Sequence, residues 1–170
     1  KMLKKEDEQR EHDFSNLSHI DNILIPGGDP GELEPQDLFA FSERVANILH
    51  KYHPNAGVWI SAQVMKSSEE FKLRFYKEVA RRPSWLTGIC HAPWVSHTMK
   101  ECREHTPLDL PIRSYPDICH SLCCQYPIHG MDPVWAVTAG REFYNPRPRW
   151  HKRAHNLTAK YNVGNIAYSE

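Results

Sequence analysis

The chain has 170 residues, of which 40% are hydrophobic, 11% aromatic and 25% charged, the balance of a globular domain with its own core. Lys plus Arg and Asp plus Glu stand at 21 each, so no global field gathers nucleic acid or an anionic membrane. No apolar run approaches the roughly 20 residues that cross a bilayer, and the polar opening KMLKKEDEQREHD lacks the pattern of a secretory leader. The first residue is Lys, as expected of a processed chain or an excised piece. That leaves the compartment open, with a secreted or periplasmic one favoured. Five cysteines, at 90, 102, 119, 123 and 124, cannot all pair within one chain, which argues against a disulfide scaffold.

Residues 1–19 read as a polar lead-in, compatible with the tail of a preceding helix. HIDNILIPG follows as a short buried strand closed by Pro-Gly. In EPQDLFAFSERVANILHKYHP, Leu38, Phe41, Val45, Ile48 and Leu49 recur at three- and four-residue steps, one apolar stripe of a helix that Pro54 ends. AGVWISAQVM is a second strand, rich in β-branched and aromatic residues. SSEEFKLRFYKEVARRPSWL is a second helix with Ser67 or Ser68 as N-cap and Phe71, Phe75 and Val79 inward. LTGICHAP makes the third strand, WVSHTMKECREH a short helix and LPIRSYPDICH the fourth strand. Residues 121–150 read as a Pro-, Tyr- and His-rich loop with room for one helix around DPVWAVTAGREF. AKYNVGNIAYSE makes a fifth strand.

Alternating strands and helices with near-continuous apolar strands predict an α/β fold with a parallel sheet. GxGxxG, GxxxxGK[ST] and GxSxG are all absent, so dinucleotide-binding, P-loop and α/β-hydrolase chemistry lack their residues. Two architectures survive, a doubly wound sheet and part of a (β/α)8 barrel. In both, the carboxyl ends of the strands share one face. Each strand is followed there by a polar group: Asp29, Gln63, His91, then Asp117 and His120, and Glu170. The bland readings are a turn-capping carboxylate for Asp29, a strand-end amide for Gln63 and a hydrogen-bonded packing imidazole beside Trp94 for His91. YPDICH crowds an aromatic, a carboxylate and an imidazole at one strand end, which favours function there.

LIPGGD, KYHPNAGVWISAQV, PSWLTGICHAP, PIRSYPDICH and EFYNPRP stand in an order that resembles the C-terminal half of the catalytic barrel of O-GlcNAcase-type, hyaluronidase-like β-N-acetylglucosaminidases. The resemblance covers residues 20–170. It implies a partial TIM-type (β/α)8 barrel holding the last four to five β/α units, truncated at both ends. It also implies a glycoside hydrolase acting on glycosidic bonds, with N-acetylhexosaminides among its substrates. Asp29 falls at the family's general acid, Asp117 near its hydroxyl-binding Asp and Asn145 at the substrate-contacting Asn of its Asn-Pro loop. Ser114 stands where an Asn is expected. Gly28 replaces the first aspartate of the family's pair, which orients the acetamido group that attacks the anomeric carbon. A distant branch, another sugar and a barrel without activity therefore stay open.

Breaking a glycosidic bond needs an acid on the leaving oxygen and a negative or nucleophilic group near the anomeric carbon. Asp29, Asp117 and Glu170 are the candidate catalytic carboxylates. Gln63, His91, Arg113, Tyr115, His120 and Asn145 are the candidate substrate contacts, and Trp59, Trp94, Tyr115, Tyr126 and Tyr144 are available as stacking surfaces. No cofactor and no metal are expected. The expected partners are a carbohydrate or glycoconjugate and the N-terminal half of the barrel, with no nucleic acid and no membrane span.

Two rivals come from other classes. One is a carbohydrate-binding barrel without catalysis, which Gly28 favours. The other is a Cys/His metal module in CHSLCCQYPIH (Cys119, His120, Cys123, Cys124, His129), whose Cys-x3-Cys-Cys run lacks a second spaced pair. Asn16-Leu-Ser and Asn156-Leu-Thr match the glycosylation tripeptide, a pattern frequent by chance.

Overall fold

In the computed structural model, residues 2–27, 33–61, 68–92, 95, 97–115 and 148–165 are described. They form a five-stranded, all-parallel sheet whose strands lie in chain order: β1 (Asn22–Ile25), β2 (Gly57–Ser61), β3 (Leu86–His91), β4 (Ile112–Ser114) and β5 (Gly164–Asn165). The helices are α1 (Met2–Asn16), α2 (Pro35–Tyr52), α3 (Glu69–Ala80), α4 (Met99–His105) and α5 (Pro148–Thr158), with a 3-10 turn at Ala159–Tyr161. A doubly wound sheet reverses its strand order partway; this one does not. Right-handed crossovers repeated in one direction keep the helices on one face and curl the sheet into a half barrel.

Local chemistry sets the helix limits. Pro35 at the start of α2 gives up an N–H that has no intrahelical partner, and Asp37 in the first turn and His50 and Lys51 in the last complement the helix dipole. Leu38, Phe39, Val45, Ala46, Ile48 and Leu49 are its buried stripe. Ser68 caps α3 by accepting from the Phe71 N–H at 3.2 Å. The third helix of the sequence reading begins five residues later than expected, at Met99 instead of Trp94. There Thr98 and Glu101 close a reciprocal capping box.

The core lies between sheet and helices. Ile25, Val58, Ile60, Ile89 and Ile112 from the strands meet Leu49, Phe75 and Val79 from the helices. Phe39 joins the layers, with its ring 5.6 Å from Phe75 and 5.7 Å from Trp85.

The lead-in is a helix, α1, joined to α2 by ion pairs and to the core by Phe14. Asp7 pairs with Arg44, Glu11 accepts from Lys51 at 3.0 Å and from the Tyr52 hydroxyl at 3.1 Å, and Phe14 packs on the core. Water and salt screen pairs of this kind, so each contributes little. Residues 151–158 carry no periodic apolar pattern in the sequence, yet the chain there is helical. No residue of α5 is buried, so the apolar stripe that reveals other helices is missing.

Candidate functional site

Alternation along the strands separates two faces. Val58, Ile60, Ile89 and Ile112 turn to the helices. Asn22, Gly57, Trp59, Ser61, Gly88, Cys90 and Arg113 turn to the concave side, where register places Asn22 beside Gly57, Trp59 beside Gly88 and Cys90 beside Arg113.

These side chains lie across the sheet. Asn22 leans over Gly57, and its Oδ1 accepts from Trp59 Nε1 at 2.9 Å. The benzo edge of Trp59 lies over Gly88, and the Arg113 guanidinium stands 3.9 Å from the centre of a Trp59 ring. A Cβ at Gly88 would sit 2.8 Å from Trp59 Cε3 and 2.6 Å from the Pro111 carbonyl oxygen, so glycine is what admits the indole. Trp59 is 4% exposed, with its N–H satisfied and its face covered by Arg113. It is a packed lining of the concave layer, not the open stacking surface considered from sequence. Arg113 is spent on Trp59 in the same way, and its charge opposes a large effect of burial on Cys90, whose thiol is pushed up to about 12. Cys90 is therefore a neutral thiol near pH 7 and no nucleophile.

A second polar cluster sits behind the end of β3, on the helix side. His91 Nε2 donates to the His97 carbonyl at 2.9 Å, which fixes that nitrogen as the protonated one, because a carbonyl only accepts. The His97 ring meets His91 edge-on at 5.7 Å and pairs through Nε2 with the Tyr76 hydroxyl at 2.6 Å. Tyr76 also stacks on His105 and hydrogen-bonds the Cys102 thiol. Lys72, 8% exposed, pairs with Glu69 at 2.7 Å. Burial lowers the His97 pKa to about 4, helped by His91 and Lys72 nearby, and burial lowers His91 as well. Burial holds the Tyr76 hydroxyl far above the usual phenol range and raises Cys102. Near pH 7 both imidazoles are neutral, and the cluster fastens the chain after β3 onto α3 and α4. Spacing alone gave no sign of it, since its members are spread over residues 72–105.

Of the expected site residues, His91, Arg113 and Tyr115 are described. His91 faces the helices through its bond to His97. Arg113 lies on the concave side over Trp59. Tyr115 follows β4 directly, and its N–H donates to the His91 carbonyl at 2.8 Å. The strand pairing thus brings His91 and Tyr115 together through the backbone, at the carboxyl edge of the sheet. Asp29, Gln63, Asp117, His120, Asn145 and Glu170 lie outside the described residues, as do Gly28, Trp94, Tyr126, Tyr144 and the cysteine-histidine run 119–129. Among the described residues no cluster of three His, Cys, Asp or Glu side chains is arranged to hold a metal, and no helix is long and apolar enough to cross a membrane. Clefts of about 370 Å³ between α1 and α2 and about 470 Å³ between α2 and α3 lie on the outer helical surface, among side chains such as Arg44 and Arg74 that are already ion-paired.

Against protein-family models, curated proteins and solved structures, the chain has no match in any of the three comparisons.

Proposed function

We propose that the chain is part of a TIM-type barrel of the glycoside hydrolase kind, acting on glycosidic bonds of N-acetylhexosaminide type at the carboxyl edge of its sheet. The observation that carries the reading is the sequential, all-parallel strand order, which puts every strand's carboxyl end on one rim. In sequence, Asp29 follows Ile25 by four positions and Gln63 follows Ser61 by two. Asp117 and His120 follow Ser114 by three and six, and Glu170 follows Asn165 by five. A residue advances the chain by at most about 3.6 Å, so each of these groups is tethered within roughly 22 Å of its strand end.

In this reading Asp29 is the general acid that protonates the leaving oxygen. Asp117 or Glu170 supplies the second carboxylate, as nucleophile or as orienting group. Gly27 and Gly28 let a sugar approach the backbone closely. Further strands of the same barrel would pair with the outer edge of β1, which has no partner among the described residues.

Asp29→Asn should abolish turnover of an aryl N-acetylglucosaminide while leaving the urea midpoint unchanged. Undiminished turnover in that variant removes Asp29 from the mechanism. Gly28, standing where an acid would orient the acetamido group, favours a second reading: glycan binding without hydrolysis. Calorimetric binding of a chitin oligosaccharide with no reducing sugar released would select it.

A further inference from the structure

The concave strip repeats one arrangement from strand to strand. Asn22 of β1 leans over Gly57 of β2, and Trp59 of β2 over Gly88 of β3, so each side chain covers the glycine paired with it. Arg113 of β4 departs from this. Its partner on β5 is Gly164, yet the guanidinium turns the other way and lies on Trp59. A Cβ built at Gly164 meets no atom within 4 Å, which leaves open space beside Arg113. Register sets Arg113 level with Cys90 and, through it, with Ser61, the last residue of β2, so the place is near the carboxyl edge of the sheet.

Stacking on an indole occupies one face of a guanidinium and none of its five N–H donors. Those of Arg113 meet no acceptor among the described residues, and no carboxylate pairs with it there. The other half-buried arginines of that set all have acceptors. Arg10 pairs with Glu6 and Asp7, Arg74 with Glu34 and Glu70, and Arg103 donates to the Thr106, Pro107 and Leu110 carbonyls. Arg149 and Arg153 also lack a carboxylate, but both are exposed on α5, where water solvates them. Among the described residues Arg113 alone joins a half-buried charge to unused donors. Cys90 beside it is a neutral thiol near pH 7 and gives no counter-charge. Trp59 is held through its own bond to Asn22, so the guanidinium lies on a fixed surface.

We infer that Arg113 and the open space over Gly164 form a binding site for an oxyanion, the carboxylate or phosphate group of a small-molecule ligand seated on the concave side. The guanidinium edge offers paired N–H groups at the spacing of two oxygens of one such group, and the apolar wall of Trp59 strengthens the attraction. A neutral ligand would leave a half-buried charge without its counterpart, and a cation would be repelled. The site goes beyond the glycosidase reading and does not depend on it.

The test is a titration of the 170-residue chain with inorganic phosphate, and separately with acetate, exchanged against sodium chloride at constant ionic strength and pH 7. Amide spectra of the isotope-labelled protein report it. Saturable shifts centred on Cys90, Arg113 and Gly164, with a midpoint below about 20 mM, are expected. Saturation by either anion supports the site, and the tighter one names the group it takes. Arg113→Met keeps an apolar stem on Trp59 and should weaken binding about tenfold or more. Arg113→Lys keeps the charge but not the fork and should weaken it several-fold. Gly164→Val leaves Arg113 in place and fills the space beside it, so it should also cost about tenfold while circular dichroism matches the parent. The control Arg149→Gln/Arg153→Gln removes two exposed cations and should change the midpoint less than about twofold. The absence of saturation by both anions overturns the inference. So does undiminished binding in Arg113→Met or Gly164→Val, or an equal loss in the control.

Discussion

Replacing Gly88 by Ala adds one methyl group to the floor under Trp59. That carbon would lie 2.8 Å from Trp59 Cε3, closer still to Cζ3, and 2.6 Å from the Pro111 carbonyl oxygen, where about 3.5 Å is the closest comfortable approach. The carbonyl is held, since it accepts the Ile89 N–H at 3.0 Å, so the indole must give way. Moving it stretches the 2.9 Å bond to Asn22 and lifts the ring against Arg113 at 3.9 Å. Overpacking costs about 1–3 kcal/mol, the hydrogen bond about 1 kcal/mol and the cation–π contact about 0.5–1 kcal/mol. Gly88→Ala should therefore destabilise the fold by roughly 3–5 kcal/mol, a large part of the stability of a domain this size. Urea unfolding followed by tryptophan fluorescence and by circular dichroism measures it. Trp59→Leu in the same background should recover part of the loss, giving a favourable coupling above about 1 kcal/mol in a double-mutant cycle. A Gly88→Ala variant within about 0.5 kcal/mol of the parent would refute the close approach of indole and backbone.

Other outcomes follow from the helix ends and the histidine cluster. Thr98→Ala removes the capping box of a short helix and should cost about 1 kcal/mol, read as a lower urea midpoint with an unchanged m-value. His97 has a folded pKa near 4, below its unfolded value of about 6.5, so its neutral state contributes stability above pH 6.5 that is lost as pH falls toward 4. With the ring partly open to water, that contribution is on the order of 1–2 kcal/mol, and His97→Gln should flatten the acid limb of a stability–pH curve by that amount. A variant with the parent's acid limb would show that other groups set it. Arg82, just past α3, holds φ at 52°, a region that strains side chains branched at Cβ. Arg82→Gly should stay within about 1 kcal/mol of the parent although it loses the exposed pair with Asp109, whereas Arg82→Val should lose about 1–2 kcal/mol more than the Gly variant. Equal losses in a thermal melt would contradict the strained backbone.

What the sequence made legible was whatever follows from period and punctuation. The stripe Leu38, Val45, Ile48, Leu49 and the apolar run Val58–Ile60 show their structure in the chain itself, and Ser68 stands where an N-cap should. The alternation of elements left two topologies open, and only strand order separates them. α5 escaped because helix 148–158 buries none of its residues, and a pattern search finds helices through the residues they hide. The concave strip escaped for another reason: Asn22, Trp59 and Arg113 come from three strands, and their meeting depends on a register shifted between Val58 and Trp59 that no local pattern encodes. His91 was legible as a residue at a strand end, but which face its ring took depended on parity within β3.

Cys90 and Cys102 are each wholly enclosed, one beneath the Arg113 side of the sheet and the other against Tyr76. An alkylating reagent can reach neither until its own wall parts. Peptide-resolved labelling rates at these two thiols would therefore act as paired clocks, one timing exposure of the hollow of the half barrel and the other timing separation of α4 from α3. If the hollow opens without the helices parting, Cys90 will be modified first.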